Sequence, residues 1–254
     1  QEPGTLEVSD VSFAYPGGEK IYEDFNLSAF PGQIIGVTGA VACGKSTLGK
    51  TFLCEYPYEG RICFHGKELS GMTKAEQNGM VGYLGHDPEL FNDSVRNNIL
   101  LGDDDDAEKY LKAVCFDGEV AEMEEGMDTI VGNGGVRLSG GQAQRLALAR
   151  TLCHKRPVLI LDDPFSALDR KTEEEVFANL RKFTADSIVI LLSHRLYLFP
   201  EMDQVLWMEA GKVTAGTHEQ ILEKFPEYAR LYEAQADGAD AHNTQEGGPD
   251  HAEK

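Results

Sequence analysis

The chain has 254 residues, 41% hydrophobic and 26% charged, the proportions of an ordinary globular protein. That length can bury one substantial core with a subsidiary lobe, but not two independent domains. With 43 acidic against 23 basic residues the formal net charge is −20. This argues against a sequence-independent nucleic-acid binder and against unaided adhesion to anionic lipid.

Residues 6–15, LEVSDVSFAY, alternate apolar and polar positions as a half-buried strand does, and PGG then turns the chain. QIIGVTG (33–39) is a short buried-type strand entering a glycine-containing loop, with a helix from about Lys45. GRICFHGKEL (60–69) reads as a hairpin around His65-Gly66. From about Pro88 to Cys153 the pattern is mostly helical, near 94–100, 106–116 and 140–154. Strand signals return at 157–162 and 187–192, with a helix over 171–183 between them. VLWMEAGKVTAGT (205–217) reads as a further hairpin followed by two short helices.

The acidic run Asp103–Asp106 reads as a solvated helix start, where carboxylates cap and complement the helix dipole; a calcium loop of the EF-hand kind lacks its spacing. Cysteines at 43, 54, 63, 115 and 153 show no C-x-x-C and no histidine clustering, so they read as small half-buried thiols of a reducing compartment. The longest apolar runs, VLIL and IVILL, fall far short of the ~18 residues of a membrane span. No signal-peptide pattern precedes them. The chain opens on Gln1 rather than Met, as a piece of a longer protein would.

GAVACGKST (39–47) matches G-x-x-x-x-G-K-[ST] between a strand and a helix. Backbone N–H groups of such a loop, Gly39, Ala40, Val41, Ala42, Cys43 and Gly44, curl around the β- and γ-phosphates. Lys45 reaches those phosphates, and the Ser46 hydroxyl, next to Thr47, sits on magnesium. Alanine at 42 predicts a negative φ there. Asp162 ends the strand VLILD, where a second magnesium-organising carboxylate belongs, although an apolar strand closing on Asp is by itself only a turn signal. In RLSGGQAQRLALAR (137–150), Ser139, Gly140 and Gly141 precede an amphipathic helix from Gln142 to Arg150. An ordinary cap explains Ser139. It does not explain two adjacent glycines, which are poor helix formers and here build an anion-binding helix start.

Taken together, the loop 39–46, LSGGQ, LILDD and the histidine of LLSHR resemble the ATP-binding domain of ATP-binding-cassette (ABC) transporters over about residues 5–234. The resemblance implies an α/β P-loop NTPase core with an antiparallel β subdomain and an inserted α-helical signature subdomain. The nucleotide-binding domain would span 1–234, with its core at about 1–86 and 155–234 and the helical part at about 87–154. Residues 235–254, with almost no large apolar side chain, would form a disordered acidic tail.

The resemblance further implies ATP and Mg2+ as cofactors and Tyr15 as the aromatic stacking on adenine. Ser139, Gly140, Gly141 and Gln142 would contact the γ-phosphate of ATP bound to a second nucleotide-binding domain, and SALD (166–169) would sense that partner. His194 would be the switch histidine facing the γ-phosphate, although a lone strand-end histidine is more often structural. HDPELFNDSVRNNI (86–99) and DTIVGNGGVRLSGGQ (128–142) resemble exporter segments, with Leu90-Phe91 and the loop before the signature docking a transmembrane domain. Such a domain works at the cytoplasmic face of a cell membrane, touching the bilayer only through its transmembrane partner and no nucleic acid.

Three departures matter. The family has glutamate at 163, glutamine at 86 and glutamate at 133, where this chain has Asp163, His86 and Asn133. Asp163 is one methylene shorter, which leaves its carboxylate ~1.5 Å from where it would polarise an in-line water, and an error of about 1 Å costs ~10²-fold in rate. His86 can still offer a nitrogen to magnesium or water. These changes predict a slow or occluding ATP site on this chain, with an intact signature serving the competent site of a different partner chain. The alternative is a non-hydrolysing regulatory nucleotide sensor on the same fold. Soluble relatives of translation and DNA repair carry two cassettes or a long coiled coil before the signature, and this chain has neither; LSGGQ excludes a phosphate-loop kinase.

Overall fold

The computed structural model describes residues 4–40, 42–165 and 168–243. In chain order the elements are β1 (Leu6–Ala14), β2 (Lys20–Ala29), β3 (Ile34–Gly39), α1 (Lys45–Thr51), β4 (Glu59–Phe64), β5 (Lys67–Glu68), α2 (Lys74–Met80) and β6 (Val81–Leu84). The helices α3 (Val95–Leu100), α4 (Ala107–Ala113), α5 (Asp117–Ala121) and α6 (Gly140–Cys153) follow. The chain closes with β7 (Val158–Asp162), α7 (Arg170–Phe183), β8 (Ile188–Leu192), β9 (Gln204–Glu209), β10 (Lys212–Gly216), α8 (His218–Lys224) and α9 (Pro226–Asn243).

Among the described residues, ten strands form one sheet in the order β5-β4-β1-β2-β10-β9-β3-β8-β7-β6. The run from β9 to β6 is parallel, whereas β1, β2, β4 and β5 pair antiparallel. This is the α/β P-loop NTPase core with an antiparallel β portion expected from sequence. The β4–β5 hairpin turns through His65 and Gly66 at φ 55° and 74°, two consecutive left-handed residues as a type I′ turn requires.

The apolar runs VLIL and IVILL do not alternate because both faces of the parallel strands are covered. Leu159, Leu161, Val189 and Leu191 point into a core shared with α3, α4, α6 and α7. Val158, Ile160, Ile188 and Ile190 point into a second core with Leu48, Phe52 and the β1–β2 pair. After β3 the chain skips two positions to β6, returns through β7 and β8, and crosses to β9 on the other side of β3. The carboxyl ends of β3, β7 and β8 therefore lie side by side, where open α/β sheets bind ligands.

The acidic run acts as expected. Asp106 caps α4 by accepting from the Glu108 N–H at 3.0 Å, and Asp105 binds Lys109 at 2.6 Å and the Tyr110 hydroxyl at 2.7 Å. All five cysteines are half-buried free thiols. Among the described residues, no helix is long and apolar enough to cross a membrane.

Three expectations need correction. The helix after the signature is not amphipathic, because Gln144, Arg145, Leu146, Ala147, Leu148 and Ala149 are consecutively buried. The last helix is not short, since α9 runs for 18 residues. It also carries residues 235–243, which were expected to be disordered; the rest of that tail, 244–254, lies outside the described residues.

Candidate functional site

The loop after β3 leads into α1 through Gly44, which caps the helix at φ 95° with no side-chain cap, and the first turn holds no acidic residue. A Cβ on Gly44 would come within 2.5 Å of Ile21, so both its conformation and its surroundings ask for glycine. Ala42 departs from expectation: its φ is +61°, in the left-handed region that costs an L-residue roughly 1–2 kcal/mol. Loop geometry prevails there over residue preference. Val41 lies outside the described residues. The Lys45 ammonium turns back on the loop, 3.4 Å from the Ala40 carbonyl and 3.5 Å from that of Gly39. Ala42, Cys43, Gly44, Lys45, Ser46, Thr47 and His194 line one cleft of about 380 Å³.

Asp162 ends β7 with its side chain buried, and its carboxylate accepts from the Tyr83 hydroxyl on neighbouring β6 at 3.1 Å. Burial and the adjacent carboxylate push the Tyr83 phenol up, so it stays a donor at neutral pH. Asp163 follows at φ 50°, half-buried, its N–H donating to the Leu192 carbonyl of β8 at 2.8 Å. That bond fixes its backbone across the β7–β8 seam. Buried Gln144 of α6 brings its amide nitrogen to 3.4 Å from the Gly85 carbonyl and 3.5 Å from that of Asp163. It thus touches the segment of His86 and the segment of Asp163 together. His86 itself is exposed.

His194 stands just beyond β8 as an exposed residue. Desolvation first, and then the Lys45 charge, hold its pKa below the usual histidine value, so the imidazole is neutral at pH 7. Its neighbour Arg195 brings Nε to 3.1 Å from Oε1 of Glu173, a carboxylate only 2% exposed. The distance suits an ion pair, but among the described residues no N–H is aimed at that oxygen. Burial lifts the Glu173 carboxyl to about 7, against the opposing pull of Arg195, with Asp163 and Asp169 adding to the rise.

Tyr15 is exposed, its hydroxyl 3.4 Å from Thr47 Oγ1 beside the phosphate loop. Its ring meets Phe13 edge-on at 5.0 Å and Tyr56 at 5.3 Å. Tyr56 was not expected here; it lies on the connection between α1 and β4, where no local pattern marks it.

Ser139 is the N-cap of α6. Its Oγ accepts from the Gln142 N–H at 3.2 Å, and the Gln142 side chain accepts from the Ser139 N–H at 2.9 Å. Gln142 also donates to Glu119 at 2.8 Å; Glu119 binds Arg145, whose guanidinium stacks 4.8 Å above Phe116. The ordinary cap is therefore present, and α5 braces it. Gly140 is different: a Cβ there would meet nothing within 4 Å, so no contact among the described residues asks for glycine. Ser139 and Gly140 are exposed, whereas Gly141 is buried, so the outward face is narrower than three residues. None of residues 139–142 lines the Lys45 cleft. Of SALD, Ser166 and Ala167 lie outside the described residues, and Asp169 caps α7 by accepting from the Thr172 N–H at 3.0 Å.

A second groove, about 420 Å³, is lined by Pro88, Glu89, Leu90, Asn133, Arg137 and Leu138, among others. It joins the two segments singled out as docking surfaces, and Asn92 ties them by accepting from the Gly134 N–H at 2.9 Å. Buried Asn98 sets the first segment, accepting from the Phe91 N–H and donating to the Phe91, Asp93 and Ser94 carbonyls. Phe91 is left 57% exposed beneath the Arg150 guanidinium.

Comparison with known proteins gives one picture. The ABC transporter family model matches residues 22–166. The chain is 35% identical over 242 residues to the probable multidrug resistance ABC transporter ATP-binding/permease protein YheI of Bacillus subtilis, covering 92% of this chain and 41% of that protein. It is 38% identical over 237 residues to an ATP-dependent lipid A-core flippase of Pseudomonas syringae, covering 90% and 40% respectively. A solved bacterial Atm1-family ABC exporter with ATP bound matches at a TM-score of 0.84 and 29% identity, over 92% of this chain and 42% of that one. The chain thus spans about two fifths of the length of these relatives.

Proposed function

The chain belongs to the ABC transporter family, and we propose that it is the MgATP-binding motor domain of an exporter, pairing with a second, different nucleotide-binding domain. The observation that carries this reading is the shared cleft of Lys45, Ser46 and His194, with the exposed Ser139-Gly140 start lying outside it. One chain thus offers a phosphate cradle and, elsewhere on its surface, a helix start with an open approach.

In this reading the loop amides and Lys45 hold the β- and γ-phosphates, and Tyr15 stacks on adenine. The residues fit a magnesium ion: Ser46 stands at the first turn of α1, and Asp162 is a buried carboxylate that accepts a hydrogen bond from the Tyr83 hydroxyl. When bound, magnesium offsets phosphate charge; His86 is the further candidate to face it. Neutral His194 donates to the γ-phosphate from the end of β8. Asp163 occupies the base position, but its carboxylate falls ~1.5 Å short of the longer glutamate, so this site turns over slowly. Ser139, Gly140, Gly141 and Gln142 grip the γ-phosphate of the partner's nucleotide. The groove between residues 88–90 and 133–138 receives the exporter's transmembrane domain at the cytoplasmic face of the membrane. The assignment of 87–154 as a helical subdomain carrying both the groove and the signature belongs to the same proposal.

MgATP titration tests the cradle. Saturable binding is expected for the chain, weakened at least ~10-fold in Lys45→Ala, because a charge-assisted contact is worth about 1.5–3 kcal/mol. Equal affinities contradict the reading.

A further inference from the structure

The carboxyl-terminal helix reaches back to the nucleotide site through one side chain. Tyr228, fully buried, anchors the start of α9 against Trp207 at 5.5 Å and Phe199 at 6.4 Å, and its hydroxyl lies 2.7 Å from His218 Nδ1. Tyr232 packs on the same histidine ring at 4.7 Å. Gln235 comes next on that face, because positions i, i+4 and i+7 share one side of a helix.

There the Gln235 amide makes two bonds to the turn after β8. Its Nε2 donates to the His194 carbonyl at 2.7 Å, and its Oε1 accepts from the Leu196 N–H at 2.8 Å. Between them Arg195 sits at φ −88°, ψ 74°, the inverse γ-turn conformation, with the Leu196 N–H also 3.2 Å from the His194 carbonyl. A three-residue turn with one long internal bond is weakly determined by itself. A planar amide presenting one donor and one acceptor spans it and fixes the carbonyl and the N–H on either side of Arg195.

We infer that Gln235 is a positioning residue for His194: α9, through this two-point amide grip, sets where the imidazole stands relative to the Lys45 cleft. The inference rests on the reading of His194 as the group that meets the γ-phosphate. It makes residues up to 235 part of the nucleotide machinery.

The test measures binding of the β,γ-imido analogue of ATP and of ADP, each with magnesium, to the full chain, Gln235→Ala, His194→Ala and the double variant. Gln235→Ala is expected to weaken the triphosphate analogue severalfold, and by no more than the ~10- to 100-fold that one hydrogen bond to a charged group is worth. ADP, which lacks the γ-phosphate, should keep its affinity within about twofold and so reports an intact fold. The double variant should bind no more weakly than His194→Ala alone, because both substitutions remove the same contact. Faster deuterium exchange at the Leu196 amide should accompany the loss. Equal weakening of both nucleotides by Gln235→Ala, or additive losses in the double variant, would overturn the inference. So would a wild-type triphosphate-to-diphosphate ratio in Gln235→Ala when His194→Ala lowers that ratio. If His194→Ala itself leaves the ratio unchanged, the γ-phosphate reading of His194 fails first and takes this role of Gln235 with it.

Discussion

The Tyr83 hydroxyl donates to the Asp162 carboxylate across the β6–β7 seam at 3.1 Å. The pair joins residues 79 positions apart, and the parallel register that sets Leu84 against Leu161 brings them together. A buried carboxylate without a donor is costly, since desolvation penalises its charge. Tyr83→Phe should therefore destabilise the nucleotide-free chain by about 1.5–3 kcal/mol, measured by urea unfolding at neutral pH. Saturating MgATP should narrow the gap to wild type if Asp162 faces the metal. An unchanged midpoint would show that Asp162 is satisfied by other means.

Glu173 gives a pH signature. Its carboxyl is raised to about 7 in the folded chain from an ordinary value near 4.5, chiefly by burial. Its protonated form is favoured by folding, so the stabilising contribution is complete below about pH 4.5 and is lost as pH rises through 7. Glu173→Gln should remove that loss. Arg195, 41% exposed, stays solvated without its partner. The difference in unfolding free energy, variant minus wild type, should grow in favour of the variant between pH 5 and pH 8. Taking the difference cancels groups such as Asp105, which is lowered to about 2 and moves stability the other way. A flat difference would contradict a raised Glu173.

Gly140 separates folding from partnership. A methyl there meets nothing within 4 Å, and alanine is the better helix former by up to about 1 kcal/mol. Gly140→Ala should leave the thermal midpoint equal to wild type or slightly higher, while ATP turnover stimulated by the partner domain falls at least ~10-fold as the approach to the γ-phosphate is blocked. Undiminished stimulation would remove the signature from the partner's site.

The parts of the site legible in sequence are those whose chemistry is contiguous. The phosphate loop and Ser139-Gly140 carry residue patterns set by their own few neighbours, whereas Asp162 and His194, by themselves a turn signal and a strand-end histidine, became candidates only through the resemblance of the combined motifs. The missing parts depend on distant chain segments. Tyr83 is marked only by register with β7, and Gln144 meets Gly85 and Asp163 from a helix whose burial hides any amphipathic signal. Ala42 defied residue preference because the loop, not the side chain, dictates its φ. The helical stretch 235–243 was unreadable for a related reason: composition reports the lack of apolar burial, but not a single amide holding the chain 41 residues back at His194. Short elements such as α2 and β6 were missed because seven and four residues show too little periodicity to register.

The central claim is that the ATP site built on Lys45 is slowed by the short Asp163 side chain, and steady-state ATP turnover of the purified chain beside its Asp163→Glu variant tests it most directly. Restoring ~1.5 Å of reach is expected to raise turnover by about 10- to 100-fold with MgATP affinity unchanged. A wild-type rate equal to or above that of the glutamate variant would contradict the account.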